Sequence, residues 1–337
     1  MILPDGCRSG IKGLDWGIEG LKKNRIIISL LITWLFLESA ALATDFQMDG
    51  VVHDNAPYGR IISLYGAHTE NLLAMGAADQ LSGIDGQSAH LPGATGKKIF
   101  SYHDDPERFL AARPDLVVIR PMIDRGYPRL VQRLKQSGIQ VVSVQPTTVE
   151  QLAEYWKLLG RLSGREAQAD GMHRAFEAAV GDFERLSAQV GKRKRVYFEA
   201  IHRKMKTFTP QAMAIFALET AGGINVASDA PVRENNNISV YGKERLLSHA
   251  AGIDVFLSQQ GAMNQISVAA IMAEPGFGAI KAVKAGQVFL VDETIVSRPT
   301  LGLLKGIYRI GCLLYPDVYC AAGRNIIASA GMDGAHQ

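Results

Sequence analysis

Short apolar runs and helical periodicities alternate along most of this chain. Apolar runs at residues 61–64, 81–85, 115–119, 140–144, 195–199, 255–258 and 288–291 predict buried strands. Between them, apolar residues spaced by three and four predict helices near 70–75, 105–112, 130–137, 149–163, 211–220, 242–250, 275–283 and 300–314. Asp105-Pro106 supplies a helix start, and Gly76 and Gly222-Gly223 supply stops. Strands alternating with helices predict parallel sheets covered by helices, an α/β fold.

The longest periodic stretch is 165–191, where Met172, Phe176, Ala179, Val180, Phe183, Leu186 and Val190 share one helical face. As one helix it would span roughly 40 Å. An ordinary surface helix would show the same period, but the flanking segments favour a bridge between two similar halves. RIISLYGAHTENLLAMGAADQLSGID, ERFLAARPDLVVI and LVQRLKQSGIQVVSV precede it. RVYFEAIHRKMKTFTPQAMAIFALETAGGINVA, ERLLSHAAGIDVFLS and AIKAVKAGQVFLV follow it in the same order of strand, loop and helix. The expected fold is two similar Rossmann-like lobes with mostly parallel sheets, joined by a single long α-helix, with a ligand cleft between the lobes. The expected boundaries are a signal peptide with an N-terminal extension (1–43), a leader (44–59), an N-terminal lobe (60–164), the bridging helix (165–191), a C-terminal lobe (192–320) and a low-pattern, frayed tail (321–337).

The N-terminus adds a cellular address. Lys22, Lys23 and Arg25 precede the apolar run 26–37, and Ala41-Leu42-Ala43 fits a small-x-small cleavage pattern. The run is shorter than the roughly 20 residues of a comfortable membrane span. A cleaved export signal is expected, with a periplasmic mature chain from near Thr44; a short uncleaved anchor is the alternative. Cys7 is lost on cleavage, which leaves Cys312 and Cys320. If the helix at 300–314 continued, their Cα atoms would lie roughly 12 Å apart, too far to bridge. If the chain turns at Tyr315-Pro316-Asp317, Cys320 folds back toward Cys312. Buried free cysteines are the expectation.

Composition changes little in this picture. The 337 residues are 47% hydrophobic, enough for two cores, and the net charge of +3 gives no reason to expect a nucleic-acid partner. The run Lys192 to Arg195 reads as a solvated turn. The chain has no G-x-S-x-G, P-loop, H-E-x-x-H or paired C-x-x-C. His68, His90, His103 and His202 fall in predicted loops without a helical ligand spacing, so no metal site is assigned. The stronger pattern is collective. Loops at predicted strand ends carry Tyr65, His68, Tyr102, Arg120, Arg125, Tyr127, His202, Arg203, Lys204, Arg233, Tyr241 and Arg298. Guanidinium forks bind carboxylates and other oxyanions, and aromatic rings pack flat ligands. The candidate ligand-binding set is Tyr65, His68, Tyr102, Arg120, Tyr127, His202, Arg203, Tyr241 and Arg298, with Tyr127 and Arg298 foremost.

These segments, from about Arg60 to Tyr319, resemble periplasmic substrate-binding proteins of the cobalamin and ferric-siderophore uptake type. The resemblance implies a receptor, not an enzyme, with no cofactor and with a metal chelate in the interlobe cleft: a ferric siderophore, heme or corrinoid. It also implies a monomer that docks on an ABC-transporter permease in the inner membrane through one acidic residue on each lobe. Glu244 fits the second-lobe position; the equivalent first-lobe stretch is Tyr127-Pro128-Arg129, where no Glu stands, and Asp124 is the nearest acid. A molybdate or tungstate receptor, using Arg120, Arg298 and a helix start at Glu70, is the alternative within the fold. An exported metal-dependent enzyme using His68, His103 and His202, with Glu70 or Asp292 as base, is the alternative from another class, and a sensor domain is a third.

Overall fold

The computed structural model describes residues 57–232 and 236–332. The predicted signal segment, most of the leader and Arg233 lie outside the described residues. Two sheets carry the described chain. In the first, β1 (Ile61–Ser63), β2 (Leu81–Asp85), β3 (Lys98–Phe100), β4 (Leu116–Ile119) and β5 (Gln140–Ser143) are all parallel, in the order β3-β2-β1-β4-β5. In the second, β6 (Arg195–Ile201) pairs in parallel with β8 (Ile224–Asn225) and with β10 (Val255–Gln260), and β10 pairs in parallel with β11 (Val288–Asp292). A hairpin strand, β7 (Lys206–Phe208), turns back antiparallel on β6, and β9 (Ile238–Val240) pairs antiparallel with β7. The first sheet is therefore parallel and the second mixed.

Helices fill the connections: α1 (Gly66–Ala74), α2 (Pro106–Ala112), α3 (Pro121–Gly126), α4 (Pro128–Gln136) and α5 (Leu152–Ser163) in the first half. Then come α6 (Glu166–Ser187), α7 (Met213–Thr220), α8 (Lys243–Ser248), α9 (Val268–Met272), α10 (Lys281–Lys284), α11 (Glu293–Val296), α12 (Gly302–Leu314) and α13 (Pro316–Ser329). The internal repeat is visible in the pairing: β1 with β2 and β4 matches β6 with β8 and β10. It extends to single hydrogen bonds. Asp115, just before β4, accepts from the Arg60 amide at 2.9 Å, and Asp254, just before β10, accepts from the Arg195 amide at 2.9 Å. Each arginine in turn donates Nε to a carbonyl at the end of the preceding helical segment, Arg113 or Gly252. Each clamp ties the start of a lobe's first strand to the strand beside it.

Apolar burial explains the layers. Ile62, Phe109, Val117 and Ile123 meet under the first sheet, and Tyr197, Phe256, Phe277 and Ile280 under the second. Each such side chain removed from water contributes about 1.5–3 kcal/mol. Helix α6 is the connection between the two sheets. It buries Ala169, Met172, Phe176, Ala179, Phe183 and Leu186, and packs on α5 and α13. It has 22 residues, so it spans about 33 Å and ends earlier than the periodicity suggested. Gly164, at φ 64, ends α5 in the left-handed region and lets the chain reverse into α6.

Several predicted loops contain elements. Helix α1 begins at Gly66, before the expected start near Glu70, so His68 and Thr69 are helical and buried. Helix α3 lies where Pro and Gly suggested a loop: Pro121 occupies the first helical turn, where its missing N–H costs nothing. Strands β3, β7 and β9 have three residues each, too few to show a period. The predicted frayed tail is largely helix α13, whose buried face is Tyr319, Gly323 and Ile327. Its glycine and alanines hid the stripe.

Candidate functional site

In α/β folds, ligands bind beyond the C-terminal ends of the strands, where helix N-termini and loops converge. Tyr65 follows β1, Arg120 follows β4, His202 follows β6, Gly261 follows β10 and Glu293 follows β11. Several of these meet. The Arg120 guanidinium carbon stands 5.0 Å from the centre of the Tyr65 ring, a cation–π contact. Burial holds the Tyr65 hydroxyl above its ordinary pKa; the cations Arg120 and Arg298 oppose the shift and the carboxylates Glu70 and Glu293 add to it. Glu293 lies directly against Gly261, where a β-carbon would collide with its carboxylate. First-half and second-half residues therefore share one neighbourhood around Tyr65.

Arg298 closes that neighbourhood. It is 8% exposed, pairs with Glu70 of α1 and donates Nη2 to Gln87 Oε1 at 3.1 Å. The Pro299 carbonyl accepts from Asn71 Nδ2 at 2.9 Å and from Trp156 Nε1 at 3.4 Å. The segment 298–299 is thus a tether between the halves. The Arg298 guanidinium, foremost in the expected set, is engaged by protein partners from the first half.

A second group lies beyond β3 and α3. Tyr102, His103 and Tyr127 form an aromatic cluster with ring centroids 4.4, 4.8 and 5.1 Å apart. The Tyr127 hydroxyl is 3.2 Å from His103 Nδ1. His103 is exposed and both tyrosines are half-buried, so the cluster offers ring faces and a polar edge to solvent. His103 was among the predicted loop histidines but outside the candidate set.

His202 belongs to a buried polar network. Nδ1 contacts Glu199 Oε1 at 2.9 Å and Nε2 lies 3.5 Å from Glu274. Glu199 is fully buried, and its other oxygen accepts from Ser258 at 2.8 Å. Lys243 neutralises Glu274. The hydrogen bond to Glu199 is the main cause that raises the His202 pKa, against burial. Arg203, next along, is exposed.

Two expected site residues are core residues. His68 has no exposed surface; Nδ1 meets the Tyr155 hydroxyl at 2.7 Å and Nε2 meets the Ile119 carbonyl at 3.1 Å. A carbonyl only accepts, so Nε2 carries the proton and Tyr155 donates to Nδ1. Burial pushes this imidazole down to about 3. Tyr241 is 5% exposed, packs 5.8 Å from Tyr197 and donates to Asp229 at 3.1 Å; burial pushes its hydroxyl up to about 12. Both side chains are enclosed by protein neighbours.

An open pocket of about 630 Å³ follows β10, outside the expected site residues, lined by Gln260, Gly261, Gln265, Ile266, Ser267 and Ala270. Exposed Met263 and Met272 lie in the same stretch of chain. The signal available was GAMNQIS directly after an apolar strand, a small-residue loop rich in amides.

Of the two expected docking acids, Glu244 is exposed in the first turn of α8 and Asp124 is half-buried in the first turn of α3. The repeat gives Glu244 a different counterpart. Helix α8 leads into β10 as α2 leads into β4, and Glu107 occupies the first turn of α2. Glu107 keeps 66% of its side chain exposed and pairs with Arg133.

Two sheets of repeated topology, joined through one long helix and with polar loops at their strand ends, define a bilobal solute-binding fold. The chain belongs to the periplasmic binding protein family, whose profile matches residues 61–294. It is 23% identical over 287 residues to a vitamin B12-binding protein of Vibrio cholerae, covering 85% of this chain and 96% of that one. It is 22% identical over 278 residues to the uncharacterized ABC transporter substrate-binding lipoprotein YvrC of Bacillus subtilis, covering 77% and 81%. A solved structure from Staphylococcus epidermidis, described as a possible iron-binding periplasmic solute-binding protein, superposes with a TM-score of 0.67 at 24% identity, covering 77% of this chain and all of that one.

Proposed function

We propose that this protein is the exported receptor of an ABC importer and carries one metal chelate per monomer, of the ferric siderophore, heme or corrinoid class, in the cleft between its lobes. The observation that carries the ligand class is the Tyr102–His103–Tyr127 cluster, which presents aromatic faces to solvent at the same strand-end side of the first sheet as the cationic Tyr65–Arg120 pair. Aromatic faces suit a flat, partly apolar chelate, and a guanidinium suits its carboxylate or phosphate groups. The family membership and the names borne by its relatives support the same class. The oxyanion alternative loses a donor because Arg298 is engaged by Glu70 and Gln87. The enzyme alternative needs three converging histidines, but His68 is engaged by Tyr155 and Ile119, and His202 by Glu199 and Glu274.

Export rests on the basic and apolar pattern before Thr44 together with the family. Docking on the permease is assigned to Glu107 and Glu244, which hold equivalent places in the two repeats. The test is chelate binding by wild type and by Tyr127→Ala. Loss of one aromatic wall lowers affinity about tenfold, the equivalent of about 1.4 kcal/mol. Unchanged affinity for every chelate that binds would remove the cluster from the site.

A further inference from the structure

Helices α12 and α13 form a tight antiparallel hairpin that turns at Tyr315 and Pro316. Two glycines let them approach. A β-carbon at Gly323 would stand 2.8 Å from the Tyr308 ring, and one at Gly311 would collide with the Tyr319 ring. Tyr308 therefore faces Gly323, and Gly311 faces Tyr319. In that antiparallel register Cys312 and Cys320 each lie one residue beyond the Gly311–Tyr319 contact, on facing stretches of the two helices. Both thiols are half-buried, and they hydrogen-bond one another. The Tyr308 hydroxyl bonds the Cys320 carbonyl at 3.3 Å and also contacts the Cys312 thiol. Cysteines facing each other across a close helix pair can reach the Cα separation of about 4.4–6.8 Å that a disulfide requires.

We propose that Cys312 and Cys320 are a redox-active pair that closes an intrachain disulfide when the protein meets a thiol–disulfide oxidant. One thiolate of the pair attacks a sulfur of the oxidant's disulfide, and an oxidant thiolate leaves. The second thiol of the pair, as thiolate, attacks the mixed disulfide and releases the other oxidant thiolate. Two protons pass from the cysteines to the two leaving groups, so the pair is oxidised and the oxidant's disulfide is reduced. Burial pushes the Cys312 thiol up to about 12, so little of it is thiolate near neutral pH. The bond would fasten α13 to α12. Tyr319 of α13 stacks 6.2 Å from Phe183 of the long helix and hydrogen-bonds the Phe183 carbonyl at 3.3 Å, so the staple also braces the connection between the lobes. Closure in the cell rests on the exported reading; closure in solution does not.

The experiment treats purified, fully reduced native protein with oxidised glutathione, alkylates it in denaturant and maps the peptide 310–324, which carries both cysteines between Arg309 and Arg324. The expected result is a peptide two hydrogens lighter than the reduced one, unalkylated until reductant is added. The oxidised protein melts about 5 °C higher than the reduced one, and Cys312→Ser and Cys320→Ser both abolish that difference. Two separate glutathione adducts, or two alkylated thiols after prolonged oxidation, would overturn the pairing. A pair that closes in solution but is recovered reduced from the producing cells would uphold the pairing and count against the exported location.

Discussion

Replacing Arg298 by Met reads the tie between the two halves most directly. Arg298 keeps 10% of its side chain exposed and its partner Glu70 keeps 21%. Breaking a fully buried pair from one side costs about 3–5 kcal/mol, because the remaining charge is left without a partner. Glu70 retains some contact with water, so solvent screens part of that loss and about 2 kcal/mol is expected. Glu70→Gln keeps the shape and a weaker acceptor, and costs about 1 kcal/mol. If each residue acts through the other, the double variant costs about 2 kcal/mol rather than 3, a coupling of about 1 kcal/mol. Urea unfolding of the four proteins in one buffer measures this, and Arg298→Met alone lowers the melting temperature by about 5 °C. Single costs that add within about 0.3 kcal/mol, or an Arg298→Met variant as stable as wild type, would refute the tether.

Further outcomes follow from the same geometry. His68, with its pKa at about 3 against 6.5 when unfolded, stays neutral at pH 5; the unfolded chain binds a proton there that the native one does not, so stability is lost as pH falls below 6.5, by about 2 kcal/mol at pH 5. Its ring resonances are expected to hold the Nε2-protonated neutral tautomer at pH 5, and a protonation midpoint above 5 would contradict the buried assignment. His202 has the opposite sign: its raised pKa gives stability that is full below 6.5 and fades as pH rises through the folded value, so His202→Gln removes that decline from the stability–pH curve. Glu107→Lys and Glu244→Lys are each expected to lower chelate-dependent stimulation of the permease about tenfold while chelate affinity holds, because a reversed rim charge acts on docking. Stimulation that falls for Asp124→Lys but not for Glu107→Lys would place the first-lobe docking acid at Asp124.

Much of the fold was legible because its strands are buried on both faces and its helices are one-sided. Val117, Val118 and Ile119 form a short β-branched apolar run of the kind a covered parallel strand carries, and Met172, Phe176, Ala179 and Phe183 mark the long helix by spacing. Short edge elements escaped because β3, β7 and β9 have too few residues to repeat a pattern. The site was less legible, for a physical reason. A histidine or tyrosine near a strand end has the same letter whether it faces solvent or the core. His68 turned inward because α1 starts at Gly66, and Tyr241 because its hydroxyl found Asp229. Arg298 was identified as important, but its partners are 228 and 211 residues away in sequence, beyond any local pattern. The Glu107–Glu244 equivalence was legible in the repeated Glu-Arg pattern; the strand pairing made it visible.

The measurement that tests the central claim most directly is a calorimetric and thermal-shift titration of the chain from near Thr44 with hemin, cobalamin, cobinamide, ferric siderophores of several chemistries, molybdate and tungstate. The account predicts one chelate class binding at one site per monomer. At a hundredfold excess over the dissociation constant, that ligand stabilises the fold by about 2.7 kcal/mol. Binding of molybdate or tungstate alone, or silence from every chelate, would contradict it.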